Sequence, residues 1–245
     1  MDNRQNKRLL IVGDSMTLGA AEVLGAEMIA RVRPTYVERL RLMLADWEIT
    51  TDAAVKRTTA EGCRILPDLI LTHQPNVVFL LLGGNDADLD WRRFIVSRGA
   101  IIRSISSLER FTSNLRSLIR LSLDLGCRAI LGELPKPDLI VRGARLSEHA
   151  NCDVTGYINR NDGVARGDQH WRSYNEGLVE LATESGVGVA AWAELMDRRK
   201  LQCRVGPDGA HPSIEAHHAI AEAFAEVLTG RSCGEPTAFL TRKAS

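Results

Sequence analysis

The fold is decided by residues 9–15, which read LLIVGDS. Four apolar residues in a row, closed by Gly13, are typical of a short strand that is buried on both faces of a sheet. Four later apolar runs are also predicted strands: 48–55, 77–82, 128–134 and 187–192. Helical patterns separate these runs, and such alternation predicts an α/β fold with a parallel sheet.

The helical patterns have recognisable beginnings and ends. Pro34 suits the first turn of one helix, Gly126 follows the end of another, and Ser213 is a typical N-cap of the last. The predicted helices cover residues 34–45, 65–72, 107–125, 171–185 and 213–228. We therefore expect a single domain over residues 1–245, a length that suits one α/β unit.

Residues 138–169 fit neither pattern. They are rich in Gly, Asn, Asp and Arg, and so long a stretch without regular structure is uncommon inside a compact domain. Two interpretations stay open: a surface excursion, or a lid or substrate-binding insertion. Trp91, Tyr157 and Trp171 flank this segment or the predicted cleft, where they either fill space or stack on a sugar or acyl group.

Charge and composition argue against several classes of protein. Lys plus Arg equal Asp plus Glu at 31 each, which leaves no basic field for nucleic acid or an anionic membrane. No uncharged run is long enough to span a membrane, and residues 1–8 lack the apolar stretch of a signal peptide. The five cysteines are widely spaced, which indicates reduced thiols rather than disulfides or a zinc site. We expect a cytoplasmic protein without a bound metal; the oligomeric state is not indicated.

Polar motifs follow three of the predicted strands. They read GDS at 13–15, GGND at 83–86 and DGAHP at 208–212. Because parallel strands end at the same edge of a sheet, and ligands bind outside their carboxyl ends, these motifs are expected to lie close together.

The residue types in these motifs suit nucleophilic catalysis. A serine such as Ser15 needs an adjacent base, and His211 could take its proton and return it to the leaving group. Asp208, three positions before that histidine, could fix its tautomer and stabilise the imidazolium. The backbone N–H at the serine turn and the amide of Asn85 are suitable donors for an oxyanion. Taken alone, Ser15 could equally be a helix N-cap, Asn85 a turn residue and His211 a loop histidine.

In this order and placement the three motifs closely resemble those of the SGNH hydrolases, also called GDSL-type esterases and lipases. The resemblance covers about residues 9–228, although 138–169 has no obvious counterpart. It implies a three-layer α/β/α sandwich with a five-stranded parallel sheet of the flavodoxin-like type. It also implies Ser15 as nucleophile, His211 as base and Asp208 as orienting acid, with no metal or organic cofactor. Asp14, Gly84 and Asp86 would then support the site.

One position departs from the family's pattern. The resemblance implies that the third oxyanion donor is a glycine N–H just after the second strand, and this chain has Lys56 and Arg57 there. Three interpretations stay open. Either residue could still present its backbone N–H, either side chain could contact an anionic group of the substrate, or the cations could simply face solvent.

The expected function is hydrolysis of a small-molecule ester through an acyl-enzyme on Ser15. An O-acetyl carbohydrate, a lysophospholipid and a thioester are the candidate substrates. An acyltransferase of the same fold and a catalytically impaired binding protein are the alternatives, the latter because of Lys56 and Arg57.

Overall fold

A parallel sheet forms the middle layer of the protein. The computed structural model describes residues 7–24, 27–201 and 204–230. In chain order the strands are β1 (Lys7–Gly13), β2 (Ala20–Leu24), β3 (Glu27–Arg31), β4 (Trp47–Ala53), β5 (Val77–Leu81), β6 (Arg128–Gly132) and β7 (Gly188–Ala190). Five of them form one sheet in the order β4-β1-β5-β6-β7, and every neighbouring pair is parallel. The chain therefore reverses its direction of travel across the sheet between β1 and β5, which is where ligands bind in such folds.

Helices cover both faces of this sheet. In chain order they are α1 (Tyr36–Met43), α2 (Thr59–His73), α3 (Gly84–Ala87), α4 (Trp91–Val96), α5 (Leu108–Asp124), α6 (Leu139–Ala150), α7 (Val154–Arg160), α8 (Gly163–Ser185), α9 (Trp192–Arg198) and α10 (Ile214–Thr229). Leu9 and Ile11 of β1 pack in one core with α1, α9 and α10. Leu10 and Val12 point the other way, into a second core with α2, α5 and α8. The predicted three-layer α/β/α sandwich with a five-stranded parallel sheet is confirmed.

The continuous apolar runs of the sequence follow from this burial on both faces. All five residues of β5 are buried, and so are the last five residues of β1. A strand covered by helices on both sides has no solvent face for polar residues, so its sequence does not alternate. These runs therefore identified the central strands correctly.

The expectation that residues 138–169 lack regular structure is wrong. They form α6, α7 and the first turns of α8, with Asp138 and Asp153 as N-caps. The glycines that suggested a loop are packing positions: a Cβ on Gly143 would lie 2.5 Å from Ile158 Cδ1, and one on Gly167 would lie 2.1 Å from Leu139 Cδ1. The small residues let the helices approach one another closely. The role of the segment as a lid or insertion stays a prediction.

Several boundaries also differ from the predicted ones. Helix α2 begins at Thr59 rather than at residue 65, because Thr58 and Glu61 form a capping box. Trp192 begins α9 and does not extend a strand. The antiparallel hairpin of β2 and β3 had no counterpart in the prediction. Cys63, Cys127 and Cys152 are free thiols, and the other two cysteines lie outside the described residues.

Candidate active site

The fold brings a serine, a histidine and an aspartate into one hydrogen-bonded chain at the carboxyl edge of the sheet. Ser15 Oγ lies 2.9 Å from His211 Nε2, and His211 Nδ1 lies 2.7 Å from Asp208 Oδ2. Because the carboxylate can only accept at Nδ1, that nitrogen carries the proton and Nε2 is left with a lone pair toward the serine. The serine and the histidine are 196 positions apart in the sequence. The sheet topology brings them together, as expected from the positions of the motifs.

Ser15 is held in a tight turn that leaves β1. The carbonyl of Ser15 accepts from the N–H of Ala20 at 2.9 Å, and Asp14 Oδ1 accepts from the N–H of Met16 at 2.9 Å. A Cβ on Gly13 would lie 1.8 Å from Thr17 Oγ1, so only glycine fits before this turn. Among the described residues, no acceptor takes the Ser15 N–H. The turn therefore fixes the hydroxyl toward His211 and keeps one backbone donor available.

The loop before α10 fixes Asp208 and His211, the other two residues of the hydrogen-bonded series. Asp208 Oδ1 accepts from the N–H groups of Ala210 and His211 at 2.9 and 3.0 Å, while Oδ2 faces the imidazole. Burial by itself would raise the pKa of Asp208, but the hydrogen bond and charge of His211, with these two N–H groups, hold the pKa below its ordinary value. The carboxylate is therefore ionised and correctly turned to orient the imidazole.

Asn85 and Asp14 are joined to each other beside the serine. Asn85 Nδ2 lies 3.0 Å from Asp14 Oδ2 and 3.0 Å from the carbonyl oxygen of Arg57. A side-chain amide has two N–H donors, so both are engaged in this arrangement. Burial raises the pKa of Asp14 to about 6, against the opposing hydrogen bond from Met16. Donation from Asn85 to an oxyanion therefore requires that one of these bonds be shared or exchanged.

Asp86 joins the loop after β5 to helix α2, and Gly84 lies beside Asp14 and Met16. Asp86 is fully buried and accepts from Thr59 N at 2.8 Å and Thr59 Oγ1 at 2.7 Å, so it ties this loop to the start of α2. Burial raises the pKa of Asp86, and the bonds from Thr59 oppose that rise. A Cβ on Gly84 would meet Asp14 Oδ2 and Met16 Cε at 3.7 Å, which is ordinary contact.

Lys56 and Arg57 have different surroundings. The N–H of Arg57 donates to the carbonyl of Ala54, and Lys56 has φ +61°, which together indicate a type II turn with lysine at the position that favours glycine. The guanidinium of Arg57 donates to the carbonyls of Gly13 and Asp52 and forms an ion pair with the Asp52 carboxylate at 2.5 Å. Lys56 lines the cavity at the serine, whereas Arg57 cross-links the ends of β1 and β4.

A cavity of about 550 Å³ has Ser15 and His211 in its wall. Apolar side chains contribute a large part of the lining: Met16, Val23, Leu89, Trp91, Leu146 and Trp171. Charged side chains of both signs complete it, among them Lys56, Arg92, Arg142, Asp88 and Glu22. Such mixed walls suit a ligand with an apolar part and a polar part.

Two of the three aromatic residues singled out in the sequence line this cavity. Trp91 donates its Nε1–H to Asp88 Oδ1 at 3.0 Å and packs edge-on against Phe94. Trp171 belongs to the core between the sheet and α8 and also lines the cavity. Tyr157 packs instead in the small cluster of α4 and α7, against Arg160. Space filling thus accounts for Tyr157, whereas Trp91 and the largely buried Trp171 also border the cavity.

Sequence reasoning missed Arg142 of α6, whose guanidinium lies 3.4 Å from Asp208 Oδ2. It also missed Glu22 and Val23, which β2 brings into the cavity wall. No local pattern marks these residues, because their relevance depends on how α6 and the hairpin pack against the sheet edge.

A known protein family matches most of this sequence. The sequence profile of the GDSL-like Lipase/Acylhydrolase family matches residues 11–219. The chain belongs to this family. It is therefore a hydrolase that acts on ester bonds, and the resemblance stated from the three motifs is confirmed.

Solved structures of GDSL-type and other esterases share the fold. The lipase/acylhydrolase from Enterococcus faecalis superposes with a TM-score of 0.64 at 18% identity, covering 92% of this chain and 96% of its own. The structure of TesA gives a TM-score of 0.61 at 19% identity, covering 91% and 99%. A variant of an acetyl-xylooligosaccharide esterase from Geobacillus Stearmophilus gives 0.58 at 18% identity, covering 93% and 96%. No curated protein matches the chain significantly.

Within 7–24, 27–201 and 204–230, no helix is long and apolar enough to cross a membrane. Over the same ranges, no cluster of three or more His, Cys, Asp and Glu side chains is arranged to hold a metal ion.

Proposed function

We propose that this protein is a serine esterase that cleaves small or medium-sized acyl esters through an acyl-enzyme on Ser15. The observation that carries the proposal is the hydrogen-bonded chain from Ser15 through His211 to Asp208, with bonds of 2.9 and 2.7 Å, in the wall of a 550 Å³ cavity. The membership in an acyl-hydrolase family supports the same reaction class.

In the first half of the proposed reaction, His211 Nε2 takes the hydroxyl proton while Ser15 Oγ attacks the ester carbonyl carbon. The resulting imidazolium is stabilised by Asp208, which already accepts from Nδ1. The tetrahedral intermediate then breaks its bond to the alcohol oxygen, and that oxygen receives the proton from Nε2. In the second half, a water molecule attacks the acyl-enzyme by the same route and regenerates the serine.

The oxyanion is proposed to bind at three donors. The N–H groups of Ser15 and Lys56 donate to no acceptor among the described residues, and the Asn85 amide lies beside them in the cavity wall. Removal of one such donor typically costs about 3–4 kcal/mol of transition-state stabilisation. Retention of the left-handed turn at Lys56 supports a working site over an impaired binding protein, because the backbone keeps the conformation expected of glycine.

The cavity walls bear on the substrate. Apolar side chains suit an acyl group, and the cations and carboxylates at the other walls suit a polar leaving group. An O-acetylated carbohydrate, a lysophospholipid and an acyl thioester all have this division. One relative by fold is named an acetyl-xylooligosaccharide esterase, which favours testing sugar acetates first.

A panel of p-nitrophenyl esters with increasing acyl length tests the reaction class, followed by one acyl group on sugar, glycerophosphate and thiol leaving groups. We expect Ser15→Ala to abolish turnover while thermal unfolding stays unchanged. The matched control is Ser117→Ala on the exposed face of α5, which should retain full activity.

A fluorophosphonate probe separates the catalytic protein from a binding protein. We expect one covalent adduct in the wild type and in Ser117→Ala, and none in Ser15→Ala, by intact-protein mass. Turnover that survives in Ser15→Ala, or an unlabelled wild type, would refute the proposal. Product analysis with an added alcohol distinguishes hydrolysis from acyl transfer, because the acyl-enzyme is common to both.

A further inference from the structure

We infer that Arg142, on helix α6, is a positioning residue that holds the Asp208 carboxylate against the His211 imidazole and thereby sets the acid limb of the activity. The inference rests on the proposed function, since it concerns the same triad. It assigns to the 138–169 segment a role in the chemistry as well as in lining the cavity.

Arg142 contacts the one carboxylate oxygen that orients the imidazole. Its Nη1 lies 3.4 Å from Asp208 Oδ2, the oxygen that also accepts from His211 Nδ1 at 2.7 Å. The Asp208 side chain is fully buried and that of Arg142 is only 16% exposed. An ion pair in such surroundings is far less screened by solvent than one on the surface. Removal of the guanidinium would therefore leave the buried Asp208 carboxylate without an effective counter-charge.

The backbone of α6 is docked directly on the Asp208 loop. The N–H of Asp138, the N-cap of α6, donates to the carbonyl of Gly209 at 2.8 Å. A Cβ on Gly209 would lie 2.6 Å from the Arg142 N atom and 2.8 Å from the Asp138 carbonyl oxygen, and Gly209 has φ +71°. The first turn of α6 therefore packs closely against the loop between Asp208 and His211. These backbone contacts at Gly209 fix the position of the Arg142 Cα atom.

Among the described residues, the guanidinium of Arg142 makes its one ion pair with Asp208 and attracts the Asp88 carboxylate at longer range. Its Nε is buried and has no hydrogen-bond partner among the described residues. The neighbouring Arg145, one turn further along α6, is by contrast paired with Glu22 at 2.5 Å and with Glu148. Both arginines lie on α6 and line the cavity, but Arg142 pairs with Asp208 whereas Arg145 pairs with Glu22 and Glu148. Arg145 is therefore a matched control.

The charges around His211 determine what Arg142 does to its protonation. The imidazole interacts electrostatically with Asp14 after β1, Asp88 after α3, Asp208 in the same loop and His217 on α10, and Arg142 on α6 pairs with Asp208. Burial lowers the pKa of His217 to about 4, so that side chain is neutral. The carboxyl groups favour a charged imidazole, and among these groups only Arg142 opposes it. Without the guanidinium the carboxyl groups around the imidazole are unopposed, so we expect the acid limb of the activity to lie at higher pH.

The experiment measures kcat and KM from pH 4.5 to 9 for the wild type, Arg142→Gln, Arg142→Lys and Arg145→Gln, with the neutral substrate p-nitrophenyl acetate. For Arg142→Gln we expect kcat to fall about tenfold and the acid limb of kcat/KM to move to higher pH by about 1 unit. KM should change by less than about twofold, because this substrate carries no charge for an arginine to bind. Arg142→Lys should restore the acid limb, and Arg145→Gln should leave it in place.

Three results would overturn the inference: an acid limb that stays in place in Arg142→Gln, a change confined to KM, or the same shift in Arg145→Gln. If Arg142→Gln does not fold, as judged by thermal unfolding, Arg142→Met supplies the neutral replacement with the apolar stem retained. The rate of fluorophosphonate labelling at each pH keeps the two proposals apart. A wild type that is never labelled at Ser15 defeats the proposed function, whereas normal labelling with unshifted variants defeats only the role of Arg142.

Discussion

Replacing Asp14 with asparagine should stabilise the fold above neutral pH and destabilise it in acid. Asp14 is 1% exposed, and burial is the main reason that its pKa rises from 3.8 to about 6, with the N–H of Met16 opposing the rise. The folded wild type therefore binds a proton that the unfolded chain has released, and its stability falls as pH rises from about 4 through 6. At 1.36 kcal/mol per unit, this difference amounts to about 3 kcal/mol.

The substitution also removes a favourable contact. In the wild type, Asp14 Oδ2 accepts from Asn85 Nδ2 and Asp14 Oδ1 accepts from the N–H of Met16. An asparagine has only one acceptor oxygen. If that oxygen keeps the bond from Met16, its NH2 group faces the NH2 group of Asn85; if it turns to Asn85, the bond from Met16 is lost. That loss should cost about 1–2 kcal/mol at every pH. The net effect of Asp14→Asn is then a gain of about 1–2 kcal/mol at pH 8 and a loss of about the same size at pH 4. The bond to Asp14 also holds the Asn85 amide in place, so its loss should misplace this proposed oxyanion donor and lower kcat by up to about 10²-fold.

Urea unfolding followed by tryptophan fluorescence, at intervals from pH 4 to 8, gives the free energy of unfolding of both proteins. Asp124→Asn, which removes an exposed carboxylate at the end of α5, controls for the change in net charge. A difference between Asp14→Asn and wild type that stays constant over this range would show that Asp14 is not a buried, proton-binding group in the folded state.

Substitutions at two further positions, Lys56 and Glu133, test features outside the proposed triad. Lys56→Gly should raise the free energy of unfolding by about 0.5–1 kcal/mol, because the relief of the left-handed conformation at φ +61° outweighs the greater freedom of glycine in the unfolded chain. It should also retain kcat on neutral esters, as should Lys56→Ala, which keeps the strain; a loss above tenfold in both would contradict the view that only the backbone N–H at this position is used. Burial raises the pKa of Glu133 to about 7, so wild-type stability should fall between about pH 5 and 8. Glu133→Gln should gain about 2–3 kcal/mol over that interval in the same unfolding assay with ester turnover unchanged, and an equal gain at pH 5 and pH 8 would argue against it.

The central strands were predictable because they are encoded locally, and the proximity of Ser15 to His211 followed from the placement of the motifs along a parallel sheet. A strand buried on both faces must be apolar throughout, and β1 and β5 are. The motifs that follow them lie at the carboxyl ends of parallel strands, so proximity in space followed from topology. The bonds between Ser15, His211 and Asp208 were then a matter of short-range geometry.

The helices of residues 138–169 were not predictable for an equally physical reason. Glycine lowers helix propensity, and a sequence alone does not show whether a glycine ends a helix or lets another one approach. Gly143 and Gly167 do the second, against Ile158 and Leu139. The contact of Arg142 with Asp208 depends on that packing, and so lay beyond any local pattern.

The turn at Lys56 has a consequence for how relatives of this protein are recognised. Lysine rather than glycine occupies this position, yet its backbone has the left-handed φ of +61° that glycine adopts most readily. What the position requires is a backbone shape, closed by the bond from Arg57 to Ala54, and any residue that tolerates this shape satisfies it. The side chain at position 56 is then free to differ among proteins with the same turn, so different groups can stand at the rim of the cavity that contains Ser15.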